Sequence, residues 1–306
     1  MIELSDIRKV YGKIEALQGI DLSIHQGDFF GLLGPNGAGK STLMHILTGF
    51  IEADGGTLTS QAETVSCGQS NWKRCLGFVP QHLALYEQLT AEENLKIFGS
   101  IYHLSSQKIK ERADELLKAV QLSDRRHDNV NTFSGGMKRR LNLVAALLHE
   151  PKILFCDEPT VGVDPHSRNA IFEYLEKLNS EGMTIIYTTH YMEEVQRMCN
   201  RIAIIDYGKI VAQGTLNELL ELLPYEEELI VSAEVAQNPL EDIWKEFGEP
   251  YFQADGSAVL KIGESLRLSS FFERIESSGM EYRHFLLKQP SLEALFLHLT
   301  GRTLRD

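Results

Sequence analysis

The chain has 306 residues, more than one compact domain usually holds, so one large domain with a smaller one, or two of equal size, is expected. Hydrophobic residues at 43% and charged residues at 24% are ordinary for a globular protein and exclude collagen-like, disulfide-scaffold and largely disordered classes. A formal net charge of −13 argues against a broad, sequence-independent grip on DNA or RNA, so no nucleic-acid partner is expected.

From Ile2 to Asp28, alternating apolar and polar residues punctuated by Gly12 and Gly27 predict short strands of an antiparallel sheet. Phe29–Leu33 then reads as a buried strand ending in a glycine-rich turn, with a helix over Ser41–Thr48. Apolar residues at helical spacing over 92–122 predict an inserted helical subdomain. From residue 136, helices at 136–149, 167–180 and 191–199 alternate with strands Lys152–Cys156, Thr184–Thr188 and Ile202–Ile205, the rhythm of a mainly parallel α/β sheet. Leu223-Pro224 and the acidic run Glu226-Glu227-Glu228 mark a boundary. Beyond it, strands at 229–234, 257–262 and 281–287 and helices at 239–247, 266–278 and 291–299 predict a small α+β domain.

The N-terminus has no apolar stretch of signal-peptide length, and no segment approaches the roughly 18 apolar residues that span a bilayer. A soluble chain is therefore expected, with any membrane role exerted through a partner. Cys67, Cys75, Cys156 and Cys199 show neither a CxxC pair nor metal spacing and read as structural thiols in a reducing compartment.

Gly34-Pro35-Asn36-Gly37-Ala38-Gly39-Lys40-Ser41, followed by Thr42, fits G-x-x-x-x-G-K-[ST] between a strand and a helix. Glycines let backbone N–H groups face a triphosphate, and the helix N-terminus favours the anion. Lys40 is expected to reach the β- and γ-phosphates of ATP and the Ser41 hydroxyl to ligate Mg²⁺. Ile153-Leu154-Phe155-Cys156-Asp157-Glu158 is an apolar strand ending in two carboxylates. Asp157 is expected to hold Mg²⁺, directly or through water, and Glu158 to orient or deprotonate the attacking water. His190, after the strand Thr184–Thr188, is placed to hydrogen-bond the γ-phosphate, or else caps a helix or sits on the surface.

These motifs, in this order, resemble the ABC ATPase family over roughly residues 1–220. Thr132-Phe133-Ser134-Gly135-Gly136-Met137 looks like the family signature Leu-Ser-Gly-Gly-Gln, and ordinary P-loop kinases, GTPases and helicases do not carry it. Val79-Pro80-Gln81 is similar to the glutamine loop, which implies that Gln81 approaches Mg²⁺ and the water. Pro159–Asp164 stands where the family has its D-loop, bringing Asp164 to the site, and Tyr11 where it has the aromatic that stacks on adenine, if it does not simply pack on its strand neighbours. Departures from the family pattern are Phe133, Met137, Val161 and Val163.

The resemblance implies a P-loop NTPase core of mainly parallel sheet with an N-terminal antiparallel β subdomain, an inserted helical subdomain at about 85–145 and a C-terminal accessory α+β domain at 224–306. It also implies ATP sandwiched between the P-loop of one subunit and Ser134, Gly135 and Gly136 of another, in a homodimer or a pair with a similar ATPase subunit. The expected function is Mg-ATP hydrolysis that drives a separate integral membrane permease, with this chain cytoplasmic and peripheral at the cell membrane. The tail resembles the C-terminal extension of ATP-binding subunits of drug, polysaccharide or sodium exporters. Alternatives are a soluble ABC ATPase acting in translation or DNA maintenance, and a nucleotide sensor that no longer hydrolyses.

Overall fold

A computed structural model describes residues 1–60, 63–64, 70–225, 227–236, 247–262, 268–277 and 281–301. Two compact units are present, one over Met1–Thr215 and one beginning at Leu216. The first opens with strands β1 (Ile2–Tyr11), β2 (Ile14–Ile24) and β3 (Phe29–Leu33), helix α1 (Lys40–Leu47), and strands β4 (Gly55–Ser60) and β5 (Glu63–Thr64). It continues with α2 (Ser70–Arg74), β6 (Leu76–Val79), α3 (Ala91–Ile101), α4 (Ser106–Ala119) and α5 (Gly135–Leu147). The units β7 (Ile153–Asp157), α6 (Pro165–Ser180), β8 (Thr184–Thr189), α7 (Met192–Met198), β9 (Arg201–Asp206) and β10 (Lys209–Gly214) complete it.

The N-terminal sheet, in order β2-β1-β4-β5, is antiparallel as expected, but β1 and β2 are long rather than short. A register shift after Leu4 inserts Asp6 at φ 51°, which returns Ile7 to the face already occupied by Ile2 and Leu4. This shift, the first of three along the β1–β2 pair, keeps the buried residues of β1 on one face. That face packs with Leu43, Met44 and Leu47 of α1 and with Phe155, Ile186 and Ala203 of the second sheet in a single apolar cluster. Burying each such side chain stabilises the fold by about 1.5–3 kcal/mol, and α1 is held at a fixed height between the sheets.

The second sheet has the order β10-β9-β3-β8-β7-β6. All its neighbours are parallel except the β9–β10 hairpin. The register sets Leu33 beside Thr189, Asp157 beside Thr188, and Val79 beside Cys156. The carboxyl ends of β3, β6, β7 and β8 therefore lie level along one edge, where ligands of open α/β sheets bind. Cys156 and Cys199 are buried, and burial raises both thiol pKa values; Cys75 is half-buried, and Cys67 lies outside the described residues.

The inserted helices form where the sequence caps them. Thr90 accepts from the Glu93 N–H at 3.2 Å while Glu93 Oε2 accepts from the Thr90 N–H at 2.8 Å, a reciprocal cap at the start of α3. Asn94, fully buried, accepts from the Tyr86 N–H and donates to the Tyr86 and Thr90 carbonyls, which fixes the chain entering the helix. Phe133 is buried beside Arg125, whose guanidinium carbon is 5.9 Å from the ring centroid, so this departure in the signature segment serves subdomain packing.

The second unit contains α8 (Leu216–Leu220), β11 (Glu227–Val231), β12 (Tyr251–Phe252), β13 (Ala258–Ile262), α9 (Leu268–Ser277), β14 (Phe285–Lys288) and α10 (Leu292–Thr300). Its antiparallel sheet, in order β12-β13-β11-β14, has a core of Leu229, Val231, Leu260 and Ile262 with Phe271 and Ile275 of α9. The strand expected from 281 starts at Phe285, because Tyr282–His284 forms a 3₁₀ turn. Of the helix expected at 239–247, all but residue 247 lies outside the described residues.

Thr90→Ala removes one side of the reciprocal cap and is expected to cost about 1 kcal/mol, read as a lower urea midpoint, whereas Thr90→Ser should change it by less than about 0.5 kcal/mol.

Candidate functional site

The turn after β3 wraps the N-terminus of α1. Gly34, Pro35 and Ala38 are buried, Asn36 and Gly37 are exposed, and Gly39 caps α1 at φ 109°. A Cβ on Gly39 would stand 2.7 Å from the Ala16 carbonyl oxygen, so both the backbone angle and the space demand glycine. Ser41 is exposed and Thr42 half-buried in the first turn of α1. Lys40 is 5% exposed, and its Nζ donates to the Gly34 carbonyl at 2.7 Å and the Pro35 carbonyl at 3.1 Å.

The same ammonium lies 3.5 Å from Glu158 Oε1. Burial pushes the Lys40 pKa below its usual value, while the Glu158 and Asp157 charges oppose that shift. Glu158, 6% exposed, takes the left-handed backbone with φ 45°, a conformation that costs a non-glycine residue roughly 1–2 kcal/mol. Its N–H donates to Thr188 Oγ1 at 3.0 Å, and that hydroxyl donates to Asp157 Oδ1 at 2.6 Å. Thr188 therefore orients both acids from the neighbouring strand.

Gln81, two residues past β6, donates from Nε2 to Glu158 Oε2 at 3.1 Å. His190, directly after β8, brings Nδ1 to 3.4 Å from the same oxygen, and this nitrogen is buried without a hydrogen-bond partner among the described residues. Lys40, Gln81 and His190 thus meet around the Glu158 carboxylate, with Asp157 one residue away. Gln81 spends its amide N–H on Glu158 and keeps its oxygen. Together with the Ser41 hydroxyl and the Asp157 carboxylate, that oxygen belongs to the hard donor class that Mg²⁺ takes, so the residues fit such an ion.

Other expected site residues lie apart from this cluster. Tyr11 is 47% exposed at the end of β1, paired with Ile14, with Lys9 Nζ 5.7 Å from its ring centroid. Ser134 is the N-cap of α5 and accepts from the Met137 N–H at 3.2 Å. Gly135 is open, its nearest prospective Cβ neighbour being the Gly162 oxygen at 3.9 Å. Gly136 is buried against its own chain, where a Cβ would stand 2.2 Å from Ser167 Oγ. Asp164 is the N-cap of α6 and accepts from the Ser167 N–H at 2.9 Å, and that bond holds its carboxyl below the usual pKa.

Three supporting residues escaped the sequence reading. Thr188 and Arg139 carry no distinctive motif signal. Arg139 of α5 donates to the Pro80, Gln81 and Val161 carbonyls, bridging the glutamine segment and the loop after Glu158. Glu194 had a signal: it occupies an inward position of α7 beside Val195, where a buried acid needs partners.

A family model described as ABC transporter matches residues 17–161. The chain is 41% identical to the linearmycin resistance ATP-binding protein LnrL of Bacillus subtilis (strain 168), over 100% of both chains. The chain belongs to the ABC transporter family. This ABC ATP-binding protein is also 37% identical to the Nod factor export ATP-binding protein I of Rhizobium sp. (strain N33), covering 98% of this chain and 97% of that one. Among solved structures it is similar to a dimeric ATP-binding cassette in a post-hydrolysis state bound to ADP and Pi, with 29% identity, a TM-score of 0.65, and coverage of 71% of this chain and 99% of the other. The P-loop NTPase fold and the ATPase activity expected from the motifs are those of this family. No helix among the described residues is long and apolar enough to cross a membrane.

Gly136→Ala is expected to displace Ser167 and lower stability by about 1–3 kcal/mol, whereas Gly135→Ala, at an open first-turn position, should leave the urea midpoint unchanged or slightly higher.

Proposed function

We propose that this chain is the ATP-hydrolysing subunit of an ABC exporter, that it closes against a second copy or a similar ATPase subunit, and that it drives a separate integral membrane permease. The observation that carries the reading is the convergence of Lys40, Gln81 and His190 on the buried Glu158 carboxylate at the level ends of four strands. The named relatives are resistance and export proteins, which favours transport over a role in translation or DNA maintenance.

In this reading the N–H groups of residues 34–42 cradle the phosphates, with Lys40 supplying positive charge and Tyr11 stacking on adenine. Ser41, Asp157 and Gln81 would hold Mg²⁺, whose charge stabilises the phosphate oxygens. Glu158 takes the proton of the attacking water on a carboxylate already oriented by Gln81, and His190 offers a ring nitrogen that has no hydrogen-bond partner among the described residues. Ser134, Gly135 and Gly136 of a second subunit close the site. Gly135 presents bare backbone there, while the missing Cβ of Gly136 serves the contact with Ser167 in its own chain. Asp164 contributes by fixing the end of the loop after Glu158.

Residues 1–220 form the ATPase domain in this proposal. Within its helical subdomain at about 85–145, the helical insert at 92–122 supplies the docking surface for the permease, and 224–306 is an accessory domain for partner contact or dimer stabilisation. The chain is cytoplasmic and peripheral, reaching the membrane through the permease.

Glu158→Gln is expected to keep ATP binding, lower turnover by about 10²–10⁴-fold and accumulate an ATP-bound dimer on size exclusion; wild-type-like turnover refutes the role of Glu158. Lys40→Ala should instead weaken nucleotide affinity by about 10–100-fold in a direct titration. Chelating divalent cations with EDTA should abolish turnover, and added Mg²⁺ should restore it. A membrane protein recovered with the chain in a detergent pull-down identifies the permease.

A further inference from the structure

Close to the site, but outside it, three buried hydroxyl groups converge on one carboxylate. Glu194 Oε1 accepts from Thr160 Oγ1 at 2.8 Å, while Oε2 accepts from the Tyr187 hydroxyl at 2.9 Å and from Thr189 Oγ1 at 2.8 Å. Glu194 is 3% exposed, and Thr160, Tyr187 and Thr189 are buried with it. Among the described residues no cation lies within ion-pair distance of this acid. A carboxylate so far from water is tolerated because charge-assisted hydroxyl donors replace its hydration. It is acceptor-only, so every hydroxyl proton must point inward and the geometry of all three donors is set together.

The donors sit on different pieces of the active site. Thr160 lies two residues beyond Glu158 and opens the turn that runs to Asp164, its carbonyl accepting from the Val163 N–H at 3.2 Å. Thr189 ends β8, and its hydroxyl also accepts from the Tyr191 N–H at 2.9 Å, so the bond brackets His190 on both sides. Tyr187 is within the strand, where ladder hydrogen bonds and packing already fix the backbone. Backbone pairing between β7 and β8 ends at the Glu158 N–H on the Thr188 carbonyl, so beyond that point Thr160 and the turn carrying His190 are joined through the acid.

We propose that Glu194 is a positioning residue that couples the loop after Glu158 to the turn carrying His190, so that the two segments keep a common geometry around the Glu158 carboxylate. It reaches the chemistry only through Thr160 and Thr189. The inference rests on the ATPase reading above.

The test compares equal cuts to the same carboxylate, measured in the full chain with Mg-ATP. Thr160→Val and Thr189→Val are expected each to lower kcat about 10-fold, with KM and the titrated nucleotide Kd changed by less than about twofold. The double variant should fall little further than the worse single one, because either cut already breaks the coupling. Tyr187→Phe removes one hydrogen bond to the carboxylate and a 3.1 Å hydroxyl contact with Thr160 Oγ1 but leaves the Thr160–Glu194 and Thr189–Glu194 links in place, so it should lower Tm while kcat stays within about twofold. Glu194→Gln, which forces at least one hydroxyl to reverse, should follow the threonine variants. Wild-type kcat in both threonine variants overturns the proposal, as does a loss in Tyr187→Phe that tracks Tm as it does in the others. If the wild-type chain itself shows no turnover, the ATPase reading fails, and that outcome is distinct because it needs no variant.

Discussion

A lysine ammonium and a glutamate carboxylate, both withdrawn from water, lie 3.5 Å apart at the carboxyl edge of the parallel sheet. Each ion costs several kcal/mol to bury, and their mutual attraction alone does not return that cost. The surroundings supply the rest. Two carbonyls of the glycine-rich turn hold Lys40, the Gln81 amide holds Glu158, and Thr188 spans Glu158 and Asp157. The positive φ of Glu158 fits the same picture, since strain of this kind persists only where neighbouring hydrogen bonds over-determine the backbone.

The architecture makes that cluster possible. Strands β3, β6, β7 and β8 come from distant parts of the chain, yet parallel registry brings their ends to one line. The apolar cluster that joins the antiparallel sheet, α1 and the parallel sheet fixes the height of the helix whose first residue is Lys40. Close-packed interiors resist compression, so the position of the ammonium is a property of the whole core and not of the loop alone.

Outside the central cluster, the signature glycines and Asp164 are shaped by local contacts. Gly135 is left open while Gly136 is consumed by Ser167, and Asp164 spends its carboxylate on a helix cap. Adjacent residues of one motif thus carry different duties, one facing outward and one holding its own fold together. Arg139 ties α5, the last helix of the helical subdomain, to the backbone of Gln81 and Val161, so a shift of that helix would be felt at the glutamine segment.

From the sequence alone, the chemistry was readable wherever it obeys short-range rules. The phosphate-binding turn, the paired acids after an apolar strand and the alternation of strands with helices depend on adjacent residues and on backbone geometry that composition dictates. Only the tertiary structure decided what depends on residues far apart in the chain. β4 opens with two glycines and buries little beyond Leu58, and β6 has four residues; both are strands because a neighbour offers hydrogen bonds. The bulge at Asp6 likewise answers to the sheet it must cover. The meeting of Gln81 with Glu158, of Thr188 with both acids and of Glu194 with three hydroxyls spans up to 77 residues of chain in the longest case, and no periodicity encodes such a pairing.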